Sequence, residues 1–435
     1  MNNLKDIISK KQVNGLKGVI TIPSDKSISH RSLIFGALCE GKIKISNFSF
    51  AQDCRATLEI VKALGCGVVF RDERLLILTS PKTLCAPSKT LDCGNSGTSM
   101  RLLAGLLSGY NFKSILTGDK SLSKRPMKRV IEPLSLMGAK IKSNDFKAPL
   151  EITGGKLNPI EYFSPISSAQ VKSCILLAGV NTIGETTVCE KTLSRNHSER
   201  MFEYLGANIQ TGHNENGFYT KIQKSKLIPK DIEIAGDISS AAFFMVMAAI
   251  VPNSEIIIKN VGINPTRTGI LDVFDKMNVA YDILDKKTVS NEEVADIKVL
   301  YSPDLKGCDI SGDIIPRLID ELPVIAVLAA AADGQTVVKN AQDLRNKESD
   351  RISSLACGLK KIGIDIVETD DGFIINGDKN NFLGNVELDT YFDHRLAMSF
   401  FVAGLLCKNE ILIKDFNWVN TSFPEFLKLF TKISA

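Results

Sequence analysis

The chain has 435 residues, of which 44% are hydrophobic and 23% charged, and its formal net charge is +4. That length is too great for one core and predicts two domains of an ordinary soluble globular protein. So small a net charge excludes nucleic-acid binding by bulk attraction, and the longest apolar stretches, near 241–251 and 322–332, are too short to span a bilayer.

The N-terminal MNNLKDIISKKQ lacks the apolar core of a signal peptide, so a cytoplasmic location is expected. Residues 23–38, PSDKSISHRSLIFGAL, open with a turn and run into an apolar helix. If Ser24 or Asp25 caps that helix, Lys26, Ser27, His30 and Arg31 stand at or near its first turns. A helix N-terminus already offers free N–H groups and a positive dipole end. Adding a lysine, an arginine and a hydroxyl there makes a socket for a phosphate or carboxylate.

The same pattern of a small polar turn followed by an apolar helix returns in NSGTSMRLLAGLLSG, SSAQVKSCILLAGV, DISSAAFFMVMAAIVP, DELPVIAVLAAAADG and DHRLAMSFFVAGLL. With Arg31, Arg101, Lys172 and Ala242 as register marks, the repeat is about 70 residues, a period that signals six copies of one unit. A second helix type alternates with the first, and five copies end on Gly65, Gly138, Gly206, Asn278 and Gly363. These are residue types that take the left-handed conformation after a helix end. Short β-branched runs lie between, near 42–46, 75–78, 186–188, 255–259, 336–339 and 410–414. The Ala-rich helices, apolar nearly all round, should be the buried ones. Six units divide most simply into two groups of three, with seams near residue 23 and 234–237, so that residues 1–22 return to the C-terminal half.

Seven turns carry chemistry. LDCGNSGTSMR (91–101) places Gly94 and Gly97 where an anion could approach the backbone, without the GKS or GKT of a Walker A loop. GDKSLSKRPM offers Lys120, Lys124, Arg125 and Lys128 around one turn. SSAQVK (167–172) and SRNHSER (194–200) supply hydroxyls, an amide and cations that suit an oxyanion. In the C-terminal half, LIDELP, LRNKESDRI and FDHR set Asp320, Glu321, Glu348, Asp350 and Asp393 beside Lys347, Arg351 and Arg395, which is the arrangement that acid/base work needs. Two unit charges about 8 Å apart at an effective dielectric near 20 repel by roughly 2 kcal/mol. Opposed cations of the two halves are therefore expected to hold an empty cleft open until an anionic substrate draws it closed. The ten cysteines are scattered without CxxC pairs or histidines at ligand spacing, which predicts buried reduced thiols rather than disulfides or zinc.

Taken in order from about residue 23 to 424, DKSISHR, GNSGTSMR, SLSKRPM, SSAQVKS, IDELP, KESDR and DHRLAMSF resemble the 5-enolpyruvylshikimate-3-phosphate synthase family. The resemblance implies an α/β (α+β) chain with the two-domain enolpyruvyl transferase fold: six βαβαββ-like repeats with buried parallel helices, three per domain. Residues 1–22 with 236–435 would form a discontinuous domain, 23–235 an inserted one, and the active site would lie in the cleft between them. It implies transfer of the enolpyruvyl group of phosphoenolpyruvate to the 5-hydroxyl of shikimate 3-phosphate by addition and elimination, in a monomer with no metal, cofactor, nucleic-acid or membrane partner. Carried over by motif, Lys26, Ser27, Arg31, Ser168, Ala169, Gln170, Arg195, Asp320 and Lys347 would hold shikimate 3-phosphate. Lys26, Gly97, Arg125, Gln170, Arg351 and Arg395 would hold phosphoenolpyruvate. Asp320 is implied as the base, and Glu348, helped by Lys26, as the acid. A cationic field favours an ionised carboxylate, which suits Asp320 and makes Glu348 the harder assignment.

SSAQVK, IDELP, KESDR and TSFPEF look like the second class of that family, whose most tolerant members carry alanine in place of Gly97. The intact glycine implies at least partial sensitivity to glyphosate. Thr421 stands where first-class members place a substrate-binding lysine, so contacts near the C-terminus are not carried over. The sister transferase acting on UDP-N-acetylglucosamine typically has a cysteine in the loop matching 118–127, and this loop has none. RNA 3′-phosphate cyclases would need a nucleophilic histidine, for which no context exists here. A non-catalytic repeat scaffold gives no reason for cations and acids at the helix starts of both halves.

Overall fold

Helices that are apolar on nearly every face have no side to give to water, so they must be packed inside. The computed structural model describes residues 6–434, which fall into two compact units, each with its own hydrophobic core.

One unit comprises Ser24–Ala235 with Thr288–Glu292. Its helices are α1 (Lys26–Gly36), α2 (Gln52–Ala63), α3 (Gly97–Ser108), α4 (Lys128–Leu136), α5 (Ala169–Gly179) and α6 (His197–Tyr204). Helices α1, α3 and α5 are buried, whereas α2, α4 and α6 present a polar face. Helices α3 and α5 pack so closely that a Cβ added at Gly105 would stand 2.0 Å from the Cys174 carbonyl oxygen, which is why a glycine interrupts an otherwise apolar helix.

The other unit comprises Met1–Pro23, Gly236–Lys287 and Glu293–Ala435. Its helices are α7 (Ile238–Ile250), α8 (Gly269–Lys276), α9 (Ile315–Leu318), α10 (Leu322–Ala331), α11 (Arg351–Ile362), α12 (His394–Gly404) and α13 (Phe426–Ile433). No helix among the described residues is long and apolar enough to cross a membrane.

Five four-stranded sheets and one three-stranded sheet repeat one plan. A short entry strand runs parallel to the strand after the buried helix, and that strand pairs antiparallel with the end of its repeat. Leu91–Asp92, Lys113–Thr117 and Lys147–Thr153 illustrate it, with Leu91 opposite Leu116 and Leu116 opposite Leu150. The mixed α/β repeat expected from the period is thereby found, and all six β-branched runs are strands. Gly65, Gly138, Gly206, Asn278 and Gly363 all adopt positive φ (98°, 93°, 81°, 60° and 111°), as helix ends of this kind require.

Two entry strands depart from simple chain order. Lys17–Thr21 lies parallel to Glu255–Gly262, and Ile232–Glu233 lies parallel to Gly41–Ser46. Each unit thus takes one strand from the segment that precedes the other unit's first repeat, and the chain passes between units at 23–24 and 235–236.

Candidate functional site

In the unit 24–235 the candidate residues lie at the starts of α1, α3, α5 and α6. Asp25 caps α1, its carboxylate accepting from the Ile28 N–H at 2.8 Å. Lys26, in the first turn, forms a 2.9 Å ion pair with Asp53 of α2. Arg31 is buried: its Nε donates to Ser198 Oγ and its Nη2 to Ser173 Oγ, both at 2.8 Å, while Nη1 donates to the Ser27 carbonyl at 3.1 Å. Burial lowers its pKa to about 10 against the support of Glu199 and Asp25, so the guanidinium stays charged at neutral pH.

A second cluster joins α3, α5 and the turn after Leu122–Lys124. Arg101 Nη1 donates to Gln170 Oε1 at 2.7 Å, and Gln170 Nε2 donates to Thr98 Oγ1 at 3.0 Å. Arg125 Nη2 donates to Asn95 Oδ1 at 2.8 Å, and Asn95 Nδ2 donates in turn to Asp119. Gly97 faces both guanidinium groups. Lys128, expected beside them, instead pairs with Glu132 on the exposed side of α4 at 3.5 Å.

Ser168 stands at the N-cap of α5, with Ala169 and Gln170 in the first turn, and half-buried Arg195 precedes α6. Lys172 corrects the expectation that it would face an oxyanion: it is 1% exposed and lies 2.7 Å from both Glu190 and Glu199. Burial works against its charge, but Glu199 and Glu190 outweigh that and hold the ammonium above its ordinary range.

His30 is fully enclosed, its Nδ1 2.7 Å from Thr57 Oγ1, which is itself 2.6 Å from Ser99 Oγ. Burial lowers its pKa from 6.5 to about 3. Across that window the unfolded chain binds a proton that the folded one refuses. Stability therefore falls as pH falls, by at most about 1.4 kcal/mol per pH unit from this group. His30→Gln should flatten the acid limb, so denaturant titrations at pH 7 and pH 4.5 should show wild type losing more stability than the variant. Parallel losses would remove His30 from the account.

In the other unit, Asp393 caps α12 by accepting from Arg395 N–H at 2.9 Å, and Asp350 caps α11 by accepting from Ile352 and Ser353 N–H at 3.1 Å. Asp320 lies in the turn before α10, its carboxylate 3.3 Å from Lys347 Nζ, and its carbonyl accepts from Arg395 Nη1 at 2.9 Å. At the centre is Arg351, 1% exposed. Its Nε lies 2.8 Å from Asp393, its Nη2 2.5 Å from Glu348 and its Nη1 3.5 Å from Asp320. Asp320 and Glu348, expected from separate motifs, thus meet at the Arg351 guanidinium, and Lys347 and Arg395 join the cluster through Asp320. The cations are also not bare: Lys26, Lys347 and Arg351 each have a carboxylate partner within their own unit.

Sequence reasoning missed Asp53, Glu190 and the role of Arg101. The signal for Arg101 and Lys172 is a lone cation inside an otherwise apolar helix, which must find a buried partner.

A sequence model of the family described as EPSP synthase (3-phosphoshikimate 1-carboxyvinyltransferase) matches residues 10–430. The chain is 47% identical over 428 residues to the 3-phosphoshikimate 1-carboxyvinyltransferase of Geotalea uraniireducens, covering 97% of this chain and 98% of that protein. It is 47% identical over 426 residues to that of Thermoanaerobacter sp., covering 97% and 99%. A solved EPSP synthase from Acinetobacter baumannii superposes with a TM-score of 0.87 at 41% identity, covering 98% of each chain. The enolpyruvyl transferase NikO from Streptomyces tendae is similar in fold alone, with a TM-score of 0.80 at 16% identity over 99% and 98% of the two chains.

Proposed function

The chain belongs to the EPSP synthase family and is a 3-phosphoshikimate 1-carboxyvinyltransferase; from that premise we propose how its residues carry the reaction. The 5-hydroxyl oxygen of shikimate 3-phosphate attacks C2 of phosphoenolpyruvate while the methylene carbon gains a proton, giving a tetrahedral adduct. Loss of phosphate from C2 and of a proton from the former methylene carbon then yields the enolpyruvyl ether and inorganic phosphate.

Asp320 takes the hydroxyl proton, and Glu348, helped by Lys26, delivers the proton to carbon and takes one back on elimination. Lys26, Ser27, Arg31, Ser168, Ala169, Gln170, Arg195 and Lys347 hold shikimate 3-phosphate. Lys26, Gly97, Arg125, Gln170, Arg351 and Arg395 hold phosphoenolpyruvate, the cations binding two polyanions and screening their mutual repulsion. The observation that carries this reading is Arg351, whose one buried guanidinium touches both the proposed base and the proposed acid. Phosphate release from the two substrates together, and from neither alone, is the expected result of a coupled assay. Release only when UDP-N-acetylglucosamine replaces shikimate 3-phosphate would overturn it.

The Gly97 assignment has its own test. A Cβ at Gly97 would stand 2.6 Å from Arg101 Nη1 and 3.5 Å from Arg125 Nη1. Arg101 is buried and held by Gln170, so the methyl displaces a guanidinium or intrudes on the anion that it faces. Gly97→Ala should raise KM for phosphoenolpyruvate about tenfold and weaken glyphosate inhibition of an otherwise sensitive enzyme, with a smaller change in kcat. A KM within twofold of wild type would remove Gly97 from the phosphoenolpyruvate site.

A further inference from the structure

Lys172, Glu190 and Glu199 form a buried charge cluster for which no step of the reaction has a use. Their side chains are 1%, 2% and 5% exposed, so none is available to a substrate. Replacing a buried ion pair by apolar side chains is often neutral or stabilising, so stability alone is a weak reason for this one.

Its hydrogen bonds give a better reason. Glu190 Oε1 accepts from the Ser168 N–H at 3.0 Å. Glu190 Oε2 accepts from Lys172 Nζ at 2.7 Å, from Ser194 Oγ at 2.9 Å and from the Ser194 N–H at 3.4 Å. Lys172 Nζ also donates to the Ser194 carbonyl at 3.3 Å, and Ser167 Oγ accepts from the Thr192 N–H at 3.1 Å. One carboxylate therefore grips two separate turns, 167–170 at the start of α5 and 191–195 before α6. Lys172, balanced on its far side by Glu199, fixes that carboxylate in place.

We infer that Glu190 and Lys172 are positioning residues for shikimate 3-phosphate: they clamp the turn bearing Ser168, Ala169 and Gln170 to the turn bearing Arg195 at the spacing that the ligand needs. The inference rests on the assignment of those four residues to shikimate 3-phosphate. Phosphoenolpyruvate should be largely indifferent to the clamp, because Arg125 is held through Asn95 and Asp119 instead, and Gln170 has independent ties to Arg101 and Thr98.

Steady-state kinetics of purified Glu190→Gln, Ser194→Ala and Ser168→Ala test this. Glu190→Gln keeps the shape but leaves Lys172 paired in charge with Glu199 alone and so loosens its hold on the clamp, and should raise KM for shikimate 3-phosphate about tenfold. KM for phosphoenolpyruvate should stay within twofold, and kcat within about threefold. Ser194→Ala removes a single hydroxyl and leaves every buried charge in place, so it should fold even if Glu190→Gln does not. It should raise the same KM about threefold. A folded Glu190→Gln with wild-type KM for shikimate 3-phosphate, beside a Ser168→Ala that raises it, overturns the clamp and spares the site assignment. Should Glu190→Gln fail to fold, an unchanged KM in Ser194→Ala overturns the clamp. If Ser168→Ala and Glu190→Gln both leave that KM unchanged, the assignment of the turn fails and takes the clamp with it. Equal rises in both KM values would make the cluster merely structural and likewise reject the inference.

Discussion

Asp320→Asn is expected to lower kcat by about 10²–10⁴-fold, the range that general base catalysis supplies. Asparagine keeps the volume and can still accept a hydrogen bond from Lys347, which lies 3.3 Å from the carboxylate, but it cannot take the 5-hydroxyl proton. The turn itself should survive, because it is held by the Arg395 bond to the Asp320 carbonyl, which the substitution does not touch. Asp320 also belongs to the proposed shikimate 3-phosphate set, so some rise in KM is compatible with the role; the fall in kcat is what defines it. Lys347 and Arg351 beside the carboxylate favour its ionised form, the form that a base needs. Turnover within tenfold of wild type, measured as phosphate release at saturating substrates, would show that another group accepts the proton.

Why Asp320 could be found from sequence while its surroundings could not is a matter of range. The buried helices were legible because a run such as that of α7, without one charge in thirteen residues, has a single physical solution, and because the run recurs. The helix ends were legible because Gly65, Asn278 and their counterparts report a local backbone angle. Caps such as Asp25, Asp350 and Asp393 are local too, decided within three residues. Asp53, Glu190 and Glu199 act across 27, 18 and 27 residues from their lysines, on the second helix of a unit or on a strand, and nothing in a local pattern marks them. Lys172 resembles a site cation because it follows SSAQ, whereas its place inside an apolar helix calls for a buried partner. The exchanged strands were out of reach for a similar reason: Ile232–Glu233 is two residues long and pairs with Gly41–Ser46, far back in the chain.

Arg351→Met should cost both the unit's stability and the reaction. Burial works against the guanidinium charge, but Asp393, Glu348 and Asp320 outweigh it and raise the pKa above its ordinary value. A cation with a raised folded pKa contributes its full stability at every pH below the unfolded guanidinium's own, strongly basic, titration range, and loses it only as pH climbs past that. The effect should thus be the same at pH 6 and pH 9. The substitution leaves Asp393, which is 0% exposed, without the 2.8 Å ion pair to Arg351, and an uncompensated buried charge costs about 3–5 kcal/mol. Denaturant unfolding should register that loss, and phosphate release should fall at least as far as in Asp320→Asn, because acid and base lose their common anchor together. Adding Asp393→Asn separates the two consequences. Asparagine caps a helix as well as aspartate does, so the double variant should recover part of the stability with the α12 cap intact. Its activity should stay lost, since Glu348 and Asp320 still have nothing between them. A double variant that is active would mean that Arg351 serves the fold alone, and one no more stable than Arg351→Met would mean that Asp393 is not the charge left stranded.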